Sequence, residues 1–243
     1  MAEAHLRDRI CGLLLGAALG DAIGLATEYL PRAEAEAFCA RVGGVSFAGW
    51  PRVSATGTKT HCANWEEGDW TDDTDMQLCI LESLLASPEA LEVSAGDVSA
   101  RFAAWAQAGF PGAPFLDTRA VGIGGTTNAV LNNPLLHGPH PERAALYVWA
   151  SPALAELGQG QPCANASNGS LMRTAVLGCR TWWDAELTAR NAVAVARLTH
   201  PDPRAPRFWA AARGGMRSSP RATPLPWLAS RTPTRAPLAR AWR

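Results

Sequence analysis

A single lysine stands against 21 arginines in this chain of 243 residues, a bias that points to a GC-rich coding sequence more than to a special function. The six cysteines (11, 39, 62, 79, 163 and 179) form no C-x-x-C pair and no metal-ligand spacing, which argues against a zinc or dithiol framework. Several of them fall in apolar helical patterns, so buried free thiols in a reducing compartment are expected, and with them a cytoplasmic protein. No apolar run is clean enough to span a membrane: the run from Cys11 to Leu30 is broken by Asp21 and Glu28, and no small-residue cleavage site follows it. No Gly-Lys-Ser/Thr follows the glycine cluster at 122–125 and no strand precedes it, which excludes a P-loop and a dinucleotide-binding fold. There is no internal repeat.

Acid is also missing from one end. From Arg204 onward there are nine arginines and no Asp or Glu, so the formal net charge of zero conceals a body of 13 cations and 22 acids, a net of −9. Prolines recur in the same tail, at 220, 224, 226, 233 and 237, and no apolar period persists. Such a segment cannot build a core, so residues 206–243 are expected to be a disordered Arg/Pro-rich tail behind a helical domain at 1–205. The tail lacks the aromatic interleaving of a nucleic-acid module, which disfavours that partner. An apolar content of 47% with 7% aromatics is a globular composition, and 243 residues suffice for a sizeable core.

The most informative stretch is Gly68-Asp69-Trp70-Thr71-Asp72-Asp73-Thr74-Asp75-Met76. An apolar helical pattern follows at once through Ile80, Leu81, Leu84 and Leu85, with Thr71 suited to cap it. Asp72, Asp73 and Asp75 then fall in the first turn, at the positive end of the helix dipole. Two readings compete. One or two acids would serve for capping, whereas adjacent aspartates repel one another and a bound hard cation would relieve that repulsion, which favours a metal site.

Elsewhere the periodicity predicts helices over 5–30, 34–41, 72–87, 94–108, from Asn128, over 172–179 and over 184–199, so the fold class is all-α. Gly12, Gly16 and Gly20 recur every four residues and would let another helix approach closely. Residues 42–68 read as a long loop, in which His61 and Cys62 form an isolated pair of the kind that is more often structural. Glycines before a helix can bring backbone N–H groups to phosphate, but taken alone the 122–125 cluster is better read as a tight turn. His200, ahead of Pro201, is consistent with a helix end.

Four motifs in this order resemble the ADP-ribosylglycohydrolase family: Gly20-Asp21-x-x-Gly24-x-x-x-Glu28, Thr71-Asp72-Asp73-Thr74-x-Met76, the glycine cluster, and Asn168-Gly169-Ser170-x-Met172-Arg173 followed by Thr199-His200-Pro201. The resemblance covers about residues 6–205. It implies an all-α orthogonal multi-helix bundle with a binuclear Mg²⁺ or Mn²⁺ centre, hydrolysing the glycosidic bond between ADP-ribose and a protein side chain or small molecule. By that similarity Thr71, Asp72 and Asp73 ligate metal, and Glu28, with Asp72 and Asp73, belongs to the catalytic set as the group that orients or deprotonates water. Gly122, Gly124 and Gly125 match the segment that cradles the diphosphate. Asn168, Gly169, Ser170 and Met172 match the loop that lines the ADP-ribose cleft, and His200 its far wall. Asp21 is expected to support the first helix end. The clustered aspartates fit this metal route, since an ordinary glycosidase needs two carboxylates and no metal.

The family also places a second Asp-x-Asp-Thr metal motif near its C-terminus, and none occurs here after residue 75. The abrupt change of charge and period at 205–210 motivates the expectation of a frameshift or altered splice there, leaving the bundle incomplete, apolar surface uncovered, metal binding weak and hydrolysis slight or absent. The alternative from another class is an inactive ADP-ribose-binding or interaction protein.

Overall fold

Side-chain caps mark where three of the helices begin. Thr71 Oγ1 accepts the Asp73 N–H at 3.2 Å, Ser94 Oγ accepts that of Asp97 at 3.2 Å, and Asp184 Oδ1 accepts those of Glu186 and Leu187 at 3.0 and 2.9 Å. The computed structural model describes residues 2–110, 120–150 and 167–201. Within them the chain forms α1 (Ala2–Leu25), α2 (Arg32–Val42), α3 (Asp72–Ala86), α4 (Ala95–Ala108), α5 (Gly125–Leu131), α6 (Glu142–Ala150), α7 (Leu177–Thr181) and α8 (Ala185–Arg197). Short 3₁₀ turns lie at His61–Asn64 and Pro134–His137, and an isolated bridge joins Val53 to Lys59. The all-α reading holds.

The core is built where the apolar stripes of α3 and α4 meet. Met76, Cys79, Ile80 and Leu84 of α3 pack with Val98, Phe102 and Trp105 of α4, and Ala144, Val148, Val176, Leu177, Ala192 and Val195 complete the cluster. Burying each large side chain stabilises the fold by roughly 1.5–3 kcal/mol, so this cluster holds α3 firmly from behind. A second cluster joins Leu25, Ala26, Phe38, Trp50, Cys62 and Trp65. It turns the 42–68 segment into a cover over the end of α1 and gives His61 a fixed place.

Several boundaries differ from the sequence-based expectations. α1 stops at Leu25 rather than near residue 30, so Glu28 sits in a turn, in which Tyr29 adopts a left-handed φ of 58°. α5 starts at Gly125, not Asn128, because the residues after the glycine turn are already helical. The expected helix at 172–179 is a series of turns followed by a five-residue helix, its backbone closing three-residue turns such as Thr174 N–H to the Leu171 carbonyl (3.4 Å) and Leu177 N–H to the Thr174 carbonyl (3.1 Å). Gly12, Gly16, Gly20 and Gly24 do not receive a helix: among the described residues nothing lies within 4 Å of where their Cβ atoms would be. Leu15 and Leu19, on the same side of α1, are 64% and 52% exposed. Cys62 and Cys79 are buried free thiols as expected, but Cys11 is exposed. No described helix is long and apolar enough to cross a membrane. The Arg/Pro tail and Cys163 lie outside the described residues.

Candidate active site

Asp21 is the hinge pin between α1 and α3. Its two carboxylate oxygens accept four hydrogen bonds from the start of α3: from Thr71 N–H (3.0 Å), Thr71 Oγ1 (2.9 Å), Thr74 N–H (3.1 Å) and Thr74 Oγ1 (2.7 Å). These include backbone N–H groups that an isolated helix would leave unpaired, so a carboxylate from another helix caps α3. Asp21 therefore supports a helix end as expected, but that of α3 rather than its own. Asp75 completes the turn from inside. It is 3% exposed, and its oxygens accept the indole N–H groups of Trp70 (2.9 Å) and Trp105 (3.0 Å).

With Asp21 and Asp75 engaged in structure, Asp72 and Asp73 are left facing outward. Gly20, Gly24, Glu28, Asp73, Thr74 and Met172 are among the residues around a cavity of about 440 Å³, together with Asp21 and Thr71. Burial, then repulsion from Asp73, pushes the Asp72 carboxyl up to about 7, while the Gly124 N–H (3.5 Å) pulls it the other way. Burial, then Asp21 and Glu28, pushes Asp73 up to about 6. Glu28 is raised too, by burial and then by Asp21. Such crowding of carboxylates is the condition a hard divalent ion relieves. Yet among the described residues no group of three or more His, Cys, Asp or Glu side chains is close enough together to hold a metal.

His61 approaches Glu28 at 3.4 Å (Nε2 to Oε2). Tyr29 meets the His61 ring edge-on with centroids 4.8 Å apart, and Trp65 lies on its other side at 4.7 Å. Burial pushes the imidazole down and the carboxyl up, so both shifts work against an ion pair at this contact. Trp65 also fixes the glycine cluster: Gly122 has φ 81°, and a Cβ there would sit 2.6 Å from Trp65 Cζ2. Only glycine fits.

The 167–173 segment closes the other side. Met172 reaches the cavity, Ser170 is buried, and Asn168 is exposed with its carbonyl accepting the Leu171 N–H at 2.7 Å. A Cβ on Gly169 would lie 3.2 Å from His200 Cε1. His200 is 2% exposed and bonds Ser167 Oγ through Nε2 (2.8 Å) and Thr199 Oγ1 through Nδ1 (2.7 Å). The structure thus brings Glu28, Thr71, Asp73 and Met172 to one cavity, sets Asp72 against Gly124, and packs Gly169 on His200. Among the described residues, Asp72, the glycine cluster, Asn168, Gly169, Ser170 and His200 lie outside that cavity's walls. Two residues escaped the sequence reading. His61 carries no local signal, because its partner is 33 positions away. Arg173 stood inside a quoted motif, but its complete burial is a property of the fold.

A family model described as ADP-ribosylglycohydrolase matches residues 2–243, running through the Arg/Pro tail. Among curated proteins, the chain is 32% identical over 136 residues to an ADP-ribosylarginine hydrolase Tri1 of Serratia proteamaculans, covering 56% of this chain and 31% of that one. It is 39% identical over 79 residues to the Tri1 of Pseudomonas putida, covering 32% of this chain and 17% of that protein. To the uncharacterized protein YegU of Escherichia coli it is 36% identical over 80 residues, with coverages of 32% and 21%. The chain thus spans less than a third of the length of each relative. No solved structure matches it. With the family model matching nearly end to end, this chain belongs to the ADP-ribosylglycohydrolase family.

Proposed function

We propose that the chain is a metal-dependent hydrolase that cleaves the glycosidic bond between ADP-ribose and an acceptor, with ADP-ribosylated arginine as the favoured acceptor. The acceptor rests on the names of the two Tri1 relatives. One observation carries the chemistry: Glu28, Asp72 and Asp73, all with raised pKa values, crowd the α3 N-terminus that Asp21 holds in place. Thr71, Asp72 and Asp73 are the residues that would hold Mg²⁺ or Mn²⁺. A bound cation would supply Lewis-acid polarisation and charge neutralisation beside the anomeric carbon.

The chain's own residues account for the remaining work. Glu28, its pKa raised by burial and by Asp21 and its carboxylate beside His61, is suited to orient a water and take its proton at a carboxylate oxygen. Met172 narrows the cavity from the opposite side. The Gly122–Gly125 and Asn168–Ser170 segments flank Asp72 and His200, where the ADP-ribose diphosphate and ribose would lie by family similarity. Release of ADP-ribose from an ADP-ribosylated arginine substrate by purified chain, with Mg²⁺ and with EDTA, tests the proposal. No release with Mg²⁺ would refute the hydrolase reading. A second reading is an ADP-ribose-binding protein without turnover. Calorimetric binding of ADP-ribose without release would select it.

A further inference from the structure

The groups behind the 167–173 loop form a chain of hydrogen bonds whose direction is set at its buried end. Arg173 is 0% exposed and lies over the Phe102 ring, its guanidinium carbon 4.7 Å from the ring centre. Among the described residues it forms no ion pair with a carboxylate. Its Nη2 donates to the Val195 carbonyl (3.1 Å) and to Thr199 Oγ1 (2.7 Å). A guanidinium has donors only, so Thr199 is the acceptor in that contact. The hydroxyl then has one proton to place, and His200 Nδ1 is 2.7 Å away. A proton on Nδ1 would instead make Thr199 accept twice and would aim the positive edge of the imidazole at the guanidinium. The lone pair belongs there. With Nδ1 accepting, Nε2 carries the proton and donates to Ser167 Oγ at 2.8 Å, and Ser167 Oγ donates in turn to Thr126 Oγ1 at 3.5 Å, in the first turn of α5.

We infer that Arg173 is a positioning residue: acting through Thr199, it locks His200 as a neutral Nε2–H donor and thereby fixes the Ser167 hydroxyl between the 167–173 loop and the glycine-rich entry to α5. His200 is then a rigid donor and not an acid or base. Burial and the Arg173 charge also hold its pKa down to about 3, in the same sense. Gly169 lets the loop lie against the imidazole, because a Cβ would come within 3.3 Å of Nε2. Only the link to ADP-ribose rests on the function proposed above; the tautomer stands on the hydrogen bonds alone.

Long-range ¹H–¹⁵N correlation spectra of the full chain, with His200 assigned through a His200→Gln variant, test the tautomer directly. From pH 5 to 8, Nδ1 should show the shift of an unprotonated ring nitrogen and Nε2 that of a protonated one. An Nδ1–H tautomer or an imidazolium would overturn the inference. Thr199→Val removes the hydroxyl; the ring should then populate both tautomers, and ADP-ribose should bind roughly five- to tenfold more weakly, as for one lost hydrogen bond. Thr199→Ser should restore both properties. A folded Thr199→Val chain with an unchanged tautomer would overturn the relay. If that variant does not fold, the wild-type and Thr199→Ser spectra still decide. Wild-type protein that binds no ADP-ribose yet shows the expected tautomer would refute the proposed ligand and leave the relay standing.

Discussion

Asp73 and Asp75 are two residues apart in the first turn of α3, yet one lines the cleft and the other is clamped between the indoles of Trp70 and Trp105. The same division separates Asp21, which accepts four hydrogen bonds, from Asp72, whose described backbone contact is the long one from Gly124. On the inner side of the turn every carboxylate oxygen has a donor, and the acids act as structural pins. On the outer side charge outruns its partners and the pKa values climb to about 7 and about 6. One residue type thus serves two ends, and the number of donors within reach decides which. A turn that holds crowded acids outward is kept in shape by the satisfied acids on its inner side.

The sharpest way to break that comparison is to treat the inner acids as the outer ones can be treated. Asp75→Ala leaves two indole N–H groups without their acceptor, one of them on a Trp that is 1% exposed. A loss of about 3–4 kcal/mol is expected, read as a lower midpoint in urea unfolding. Asp21→Asn keeps the volume but replaces one accepting oxygen with an amide that donates. It should cost about 2 kcal/mol and free the start of α3, seen as faster amide hydrogen exchange at Thr71 and Thr74. Either variant melting like the wild type would erase the distinction between pins and site.

The outer acids should show the opposite sign. The folded-state pKa values of Asp72 and Asp73 lie above the ordinary 3.8, so the folded chain holds protons that the unfolded chain releases. Stability should therefore rise as pH falls below about 7 and level off near 4, a gain of about 1–2 kcal/mol after solvent screening. Asp72→Asn should flatten most of that slope and be more stable than wild type at pH 8 in EDTA. Saturating Mg²⁺ at pH 8 should raise the wild-type melting temperature and leave that of Asp72→Asn nearly unchanged. Equal pH profiles for the two proteins in EDTA would show that the outer acids are as well satisfied as the inner ones.

Helices were legible in the sequence wherever an apolar stripe of period 3.6 met a capping side chain, as at Thr71, Ser94 and Asp184. They were misplaced at 172–179, where the apolar period is present but the backbone closes three-residue turns and Arg173 is buried. The site was legible as motifs, because Thr71-Asp72-Asp73 and Gly169 are local. What each acid does was not: the roles of Asp21 and Asp75 depend on donors from Thr74 and Trp105, supplied across 53 and 30 positions. Nor could spacing show that the Gly12–Gly24 face of α1 meets nothing among the described residues.

His61 gives the mildest test, because it touches an outer acid while standing on an inner scaffold. Its Nε2 reaches Glu28 at 3.4 Å where both side chains are partly exposed, so losing that contact should cost little. Its ring, however, is held between Tyr29 and Trp65, contacts that a phenyl group can keep. His61→Phe should therefore melt within about 0.5 kcal/mol of wild type, the range of a substitution that leaves packing intact. If Glu28 moves a proton in turnover, the same variant should lower the rate of ADP-ribose release more than its affinity, since only the orientation of the carboxyl is lost. A destabilisation above about 1 kcal/mol would place His61 with Asp75 and Asp21, among the pins, and Glu28 would then owe its position to the scaffold alone.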